Sequence, residues 1–179
     1  MAEKLPDKNL HSFSKQERLC NFTFKKLLFQ EGEQFSQYPL RIYWKIIDKN
    51  LEDIFFSGSV TQFSENAGSR ISPFAQQNPS YPHKKVPSNA LFTTPVQCLT
   101  GASGKVHKTA PIRNQLKRLI REAYRQNKHG FYSFLEQVDG FCLLGIVYTG
   151  TTVLKYPELE NKIIVSLQKL QQKITEQTR

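Results

Sequence analysis

Apolar residues recur along this chain with two different periods, and each period places an element. In Leu40-Arg41-Ile42-Tyr43-Trp44-Lys45-Ile46 they alternate, so Leu40, Ile42, Trp44 and Ile46 share one face while Arg41, Tyr43 and Lys45 share the other. This predicts a strand with a core side and a basic-aromatic side. Near the C-terminus the spacing is helical: Pro157 opens a helix on which Leu159, Ile163, Leu167, Leu170 and Ile174 form one apolar stripe. Gly140 to Thr149 is apolar almost throughout and rich in β-formers, which predicts a central strand. Ser14-Lys15-Gln16-Glu17 has the form of a capping box. It predicts a first helix through Leu19, Leu27, Leu28 and Phe29, stopping near Gly32 in a left-handed C′ conformation. Pro95 to Thr100 reads as a short strand and Gly101-Ala102-Ser103-Gly104 as a turn. A second helix then begins around Pro111 and extends to about Asn127.

From 47 to 94 the pattern degrades into Ser, Asn, Gln, Gly and Pro, with only 54–56 and 59–63 fit for short strands, as in a small hairpin. This stretch reads as an insertion. The chain is then a flexible N-terminus at 1–12, a single domain at 13–174 interrupted at 47–94, and a tail at 175–179. No internal repeat is visible.

Composition narrows the class. At 179 residues and 39% hydrophobic the chain can build a core, whereas its longest apolar run, Phe141 to Tyr148, is far shorter than the roughly 20 residues of a membrane helix. Cys20, Cys98 and Cys142 are widely spaced without a CxxC pair, as expected of reduced thiols in the cytoplasm. The net charge of +10 asks for a polyanionic partner, and it is unevenly placed: residues 1–94 carry +3, residues 95–128 carry +7 and residues 129–179 carry none. The middle segment is where function is expected.

On a wheel of about 100° per residue with Arg113 at zero, Ile112, Leu116, Leu119, Ile120 and Ala123 fall between about 240° and 340°. Arg113, Asn114, Lys117, Arg118, Arg121 and Arg125 occupy about 0° to 140°. A solvated helix face would account for a run of lysines. Here four of the five cations are Arg, whose planar fork suits phosphate, and Lys105, His107 and Lys108 extend the field towards the N-terminus. Nucleic-acid binding is the stronger reading.

Arg113-Asn114-Gln115-Leu116-Lys117-Arg118-Leu119-Ile120-Arg121-Glu122 resembles the R-N-R-x-K-R-x-x-R-E signature of the bacterial ribonuclease P protein component. Phe13-Ser14-Lys15-Gln16-Glu17-Arg18-Leu19, Phe29, Gly32 and Tyr38-Pro39-Leu40-Arg41 follow in that family's order, so the resemblance spans 13–46 and 95–174. It implies an α+β fold of α-β-β-α-β-α order like domain 2 of ribosomal protein S5, with a left-handed βαβ crossover and, here, a long insertion after the first strand. It implies the protein subunit of an RNA-based endoribonuclease that removes the 5′ leader of precursor tRNA. The catalytic RNA subunit would hold Mg2+ and carry the catalysis, and no further protein partner is required. Carried over by position, Arg113, Asn114, Lys117, Arg118 and Arg121, with Arg125 beside them, face the catalytic RNA, and Ser103, Lys105 and Lys108 form the basic loop before them. Phe29, Arg41 and Tyr43 fall in a cleft for the single-stranded leader; Lys25 stands where an aromatic or aliphatic residue is usual, with Phe22 and Phe24 as candidates to replace it.

Three positions depart from the family pattern: Gln115 replaces an arginine, Gly104 a usual lysine, and Thr109 a common basic residue. Lys84 and Lys85 in the insertion are candidate compensation. Gly101 to Lys105 lacks the first Gly and the final Ser/Thr of a phosphate-binding P-loop. The alternative reading is a noncatalytic RNA-binding module, ribosome-associated or KH-like, the latter because Gly101 to Gly104 fits a GxxG loop. His11, His83, His107 and His129 have no ligand spacing and are expected in exposed loops, and no catalytic residue is expected in the protein itself.

Overall fold

The computed structural model describes residues 12–47, 90–138 and 140–177. The two short strands expected at 54–56 and 59–63, together with His11, His83, Lys84 and Lys85, lie outside them. The elements run α1 (Phe22–Glu31), β1 (Glu33–Gln37), β2 (Leu40–Ile47), β3 (Val96–Ala102), α2 (Ala110–Asn127), α3 (His129–Leu135), β4 (Phe141–Tyr148) and α4 (Tyr156–Gln177). The fold is α+β, with a mixed sheet in the order β1-β2-β4-β3. Only β3 and β4 are parallel, and the chain between them carries α2 and α3.

Two elements go beyond the expected order. In β1 a single apolar residue, Phe35, stands among polar ones, so no alternation announces a strand. Its ladder with β2, from Glu33 opposite Trp44 to Gln37 opposite Leu40, makes it one, and the turn between them holds a cis Tyr38–Pro39 peptide. The short helix α3 follows α2 directly and buries Phe131 and Leu135.

The first helix starts later than the capping box predicts. The box itself is formed: the Ser14 amide donates to Glu17 Oε2 at 3.0 Å and the Glu17 amide to Ser14 Oγ at 3.3 Å. No helix follows because β3 takes the next backbone groups. The Cys98 amide donates to the Glu17 carbonyl at 2.7 Å and the Leu19 amide to the Cys98 carbonyl at 3.0 Å. Asn21 is the true N-cap, its Oδ1 accepting from the Phe24 amide at 3.2 Å. At the other end Gly32 is extended, with φ −74° and ψ 153°, and not left-handed. Glycine is needed there for space, since a Cβ would lie 2.2 Å from the Leu28 carbonyl oxygen.

The sheet separates two cores. Leu40, Ile42 and Trp44 face α2 and α4, where Leu116, Ile120, Leu159, Ile163, Leu167, Leu170 and Ile174 are buried. The stripe predicted on α4 is thus its buried face, and the helix continues past the expected boundary at 174. On the opposite face α1 places Phe24 and Leu28 over Leu143 and Ile47, with Leu19 and Ala90. At about 1.5 to 3 kcal/mol for each fully buried aliphatic or Phe side chain, the larger core dominates stability. The smaller one leaves part of its sheet face uncovered.

Candidate nucleic-acid interface

Pro111 stands in the first turn of α2, where no amide hydrogen is needed, and Thr109 is the N-cap residue. That turn carries no acidic residue, so the positive end of the helix dipole adds to the basic field. Leu116, Ile120, Ala123 and Tyr124 are fully buried. One position on the wheel is corrected: Ile112, expected on the apolar face, is exposed, while Tyr124, which the wheel left unassigned, is in the core. The cause is Phe13, whose ring meets that of Tyr124 edge to face at 5.9 Å. The buried face is rotated towards the cations, which leaves Lys117 and Arg121 half-exposed on its flank and Asn114 and Arg118 fully outward.

The eight cations between Lys105 and Lys128 divide into two groups. Arg113 is spent on the protein: its Nη1 donates to the carbonyls of His107 at 2.9 Å and Lys108 at 2.5 Å, tying the basic loop to the helix. Arg125 forms a two-pronged pair with Glu122, Nε to Oε2 at 2.9 Å and Nη2 to Oε1 at 2.6 Å. This contact, with a further bond from Gln126, lowers the Glu122 pKa to about 2. Lys128 is buried and paired with buried Glu17, and it donates to the Ser12 carbonyl at 2.5 Å. Lys105, Lys108, Lys117, Arg118 and Arg121 have no acidic partner among the described residues. Arg121 Nε is buried without a hydrogen-bond partner there. These five, with Asn114, are the groups the structure leaves available to phosphate.

His107 differs from the expectation of an exposed loop residue. It is buried, with Nε2 2.9 Å from the Gly150 carbonyl oxygen and its ring 5.9 Å from that of Tyr148. It anchors the loop from inside the fold. The loop joins β3 to α2, and Gly101 is still within β3 opposite Val147. A KH loop joins two helices, so the KH-like reading fails on this connection.

On the other face of the sheet, Tyr43 and Phe29 meet edge to face at 4.9 Å. Phe29 is 46% exposed, and Arg41, two residues from Tyr43 on the same face of β2, is exposed. The three residues expected in the cleft are therefore together. Gly145 lies opposite Tyr43, and a Cβ there would sit 3.2 Å from Leu28 Cδ2 and 3.3 Å from Tyr43 Cβ. Lys45 pairs with Glu31 at 3.1 Å along the rim. Of the candidates to replace an aromatic at Lys25, Phe24 is excluded: it is fully buried, its ring 5.6 Å from that of Phe92. Phe22 is 78% exposed. The cysteines are free; burial pushes the thiols of Cys98 and Cys142 well above their ordinary range, and Cys20 alone is exposed.

Residues 74–171, more than half of the chain, match the family model described as Ribonuclease P. The chain belongs to the ribonuclease P protein family. Comparison with curated proteins and with solved structures finds no significant match. The matched residues include β3, the basic loop, α2, α3, β4 and most of α4. As a ribonuclease P protein subunit, the chain works in tRNA 5′ processing within a ribonucleoprotein, and its partner is RNA. No described helix is long and apolar enough to cross a membrane.

Proposed function

We propose that this ribonuclease P protein is the bacterial type of subunit, a cytoplasmic protein that docks on the catalytic RNA through α2 and holds the 5′ leader of precursor tRNA in the α1–β2 cleft. The observation that carries this reading is the division of the surface by the sheet. Lys105, Lys108, Asn114, Lys117, Arg118 and Arg121 belong to the α2 side, whereas Phe29, Arg41 and Tyr43 belong to the α1 side. One face has the charge to neutralise a folded RNA, and the other has rings for unstacked bases. Arg113 and His107 act by positioning, since both hold the loop that presents Lys105 and Lys108.

The donor set does not suit a hard cation held by protein carboxylates. Glu122 is paired with Arg125 and Glu31 with Lys45, and among the described residues no three His, Cys, Asp or Glu side chains cluster as a metal site would need. Magnesium belongs, on this reading, to the RNA subunit, which carries the catalysis. The protein raises local RNA stability by charge neutralisation and fixes the leader.

The test is to add the purified protein to its genome's ribonuclease P RNA at low magnesium and assay precursor tRNA cleavage. Strong stimulation is expected. General RNA binding without stimulation would favour a noncatalytic RNA-binding module instead.

A further inference from the structure

The leader cleft does not run freely across the sheet. Beyond Leu143 the α1 side of the sheet is filled by the end of the insertion. Phe92 stacks on Phe141 with ring centroids 4.3 Å apart and planes 6° from parallel, its other neighbour is Phe24, and Ala90 is fully buried beside them. The segment is fastened at two further points, by Gln97 Nε2 to the Leu91 carbonyl at 3.2 Å and by Thr93 Oγ1 to Gln16 Oε1 at 3.0 Å. A strand of RNA lying on Tyr43 and Phe29 meets this plug if it continues along the sheet.

The outer face of α1 offers another course. At about 100° per residue, Phe22, Lys25, Lys26 and Phe29 fall within one arc of about 100°, opposite Phe24, Leu27 and Leu28. Phe22 is 78% exposed and Phe29 46%, and the two lysines lie between them. Two rings seven residues apart stand about 10 Å apart along the helix axis. Exposed rings with cations between them suit stacked bases joined by phosphates, and the stripe is continuous with the cleft through Phe29 and Tyr43.

We propose that single-stranded RNA leaves the sheet at Phe29 and continues over the outer face of α1, with Phe22 as a second stacking platform and Lys25 and Lys26 beside the intervening phosphates. This rests on the leader reading of the cleft. It makes Phe22 the functional replacement for the aromatic that Lys25 displaces, supplied one turn earlier on the same helix face.

The experiment uses the holoenzyme reconstituted from the full chain and its RNA subunit, with precursor tRNAs whose leaders lengthen one nucleotide at a time. Phe22→Ala, Phe22→Trp and Phe29→Ala are compared with the parent for substrate affinity. Phe22 is exposed, so Phe22→Ala should melt with the parent. Phe22→Ala is expected to match the parent for short leaders and to lose roughly fivefold or more in affinity once the leader is long enough to reach α1, the scale of one lost base stack. Phe22→Trp is expected to keep the long-leader affinity. If Phe29→Ala weakens binding and Phe22→Ala follows the parent at every length, the extended track is overturned and the cleft stands. If neither variant changes binding at any length, the cleft reading falls and the track with it.

Discussion

Arg118 and Arg125 stand two turns apart on α2 and differ in whether an acidic side chain holds them. Arg118 is exposed without an acidic partner among the described residues, whereas Arg125 is neutralised by Glu122. Arg118→Ala is therefore expected to weaken RNA-subunit binding and to lower the log–log salt slope by about 0.7 to 0.9, one phosphate contact, with no change in thermal stability. Glu122→Gln is expected to do the reverse, because it removes the one acidic charge in the sequence of α2; unchanged affinity and slope would count against this. The same pair has a pH signature. The Glu122 pKa falls from an ordinary 4.5 to about 2, so its stabilisation is complete above about 4.5 and is lost as the pH falls towards 2. The pair is half-exposed, so the difference in stability between the parent and Glu122→Gln should be only about 0.3 to 0.5 kcal/mol at neutral pH, vanishing towards pH 2 in acid denaturation curves. Gln115 is exposed on the same helix, and Gln115→Arg should strengthen binding and steepen the salt dependence.

The helices and strands differ in how much of them the sequence discloses. The alternation of β2 and the stripe of α4 were legible because each buries one whole face against the larger core. The start of α1 was not, because a genuine capping box at Ser14 and Glu17 is followed by residues that pair with β3. A distant strand decides that competition. Likewise β1 owes its existence to β2, and Tyr124 sits in the core because Phe13 reaches it. Lys128 illustrates the same limit within the basic segment: it counts towards the +7 in the sequence, yet it is buried against Glu17 and clamps the N-terminal segment to the junction of α2 and α3. Lys128→Ala is expected to cost about 3 to 5 kcal/mol in denaturant unfolding, since it strands a buried carboxylate. A cost below about 1 kcal/mol would show that the clamp contributes little. Gly32→Ala is expected to destabilise as well, because the added Cβ meets backbone at 2.2 Å.

Across the whole molecule the four-stranded sheet works as a partition. Its α2 side joins the larger core to a cationic surface, and its α1 side joins the smaller core to the Phe29–Tyr43 ring pair. The motif on α2 made the first surface readable in the sequence, although only the structure separates the cations that are available from Arg113, Arg125 and Lys128. On the α1 side the sequence singled out Phe29, Arg41 and Tyr43, which lie on one side of the sheet. The packing of Phe92 beside them was not legible, since nothing in the composition of the insertion marks one of its phenylalanines as a partner of Phe141. The central claim is that the two faces hold two different RNAs. The native thiols make it directly testable: Cys98 and Cys142 are buried, so replacing exposed Cys20 by Ser leaves a background for single labels. A hydroxyl-radical probe is attached at Gln115→Cys on α2 or at Gln30→Cys on α1, both exposed positions, in the holoenzyme bound to precursor tRNA. The α2 probe is predicted to cut the RNA subunit and spare the leader, and the α1 probe to cut the leader. Leader cleavage from α2, or identical cutting patterns from both positions, would contradict the account.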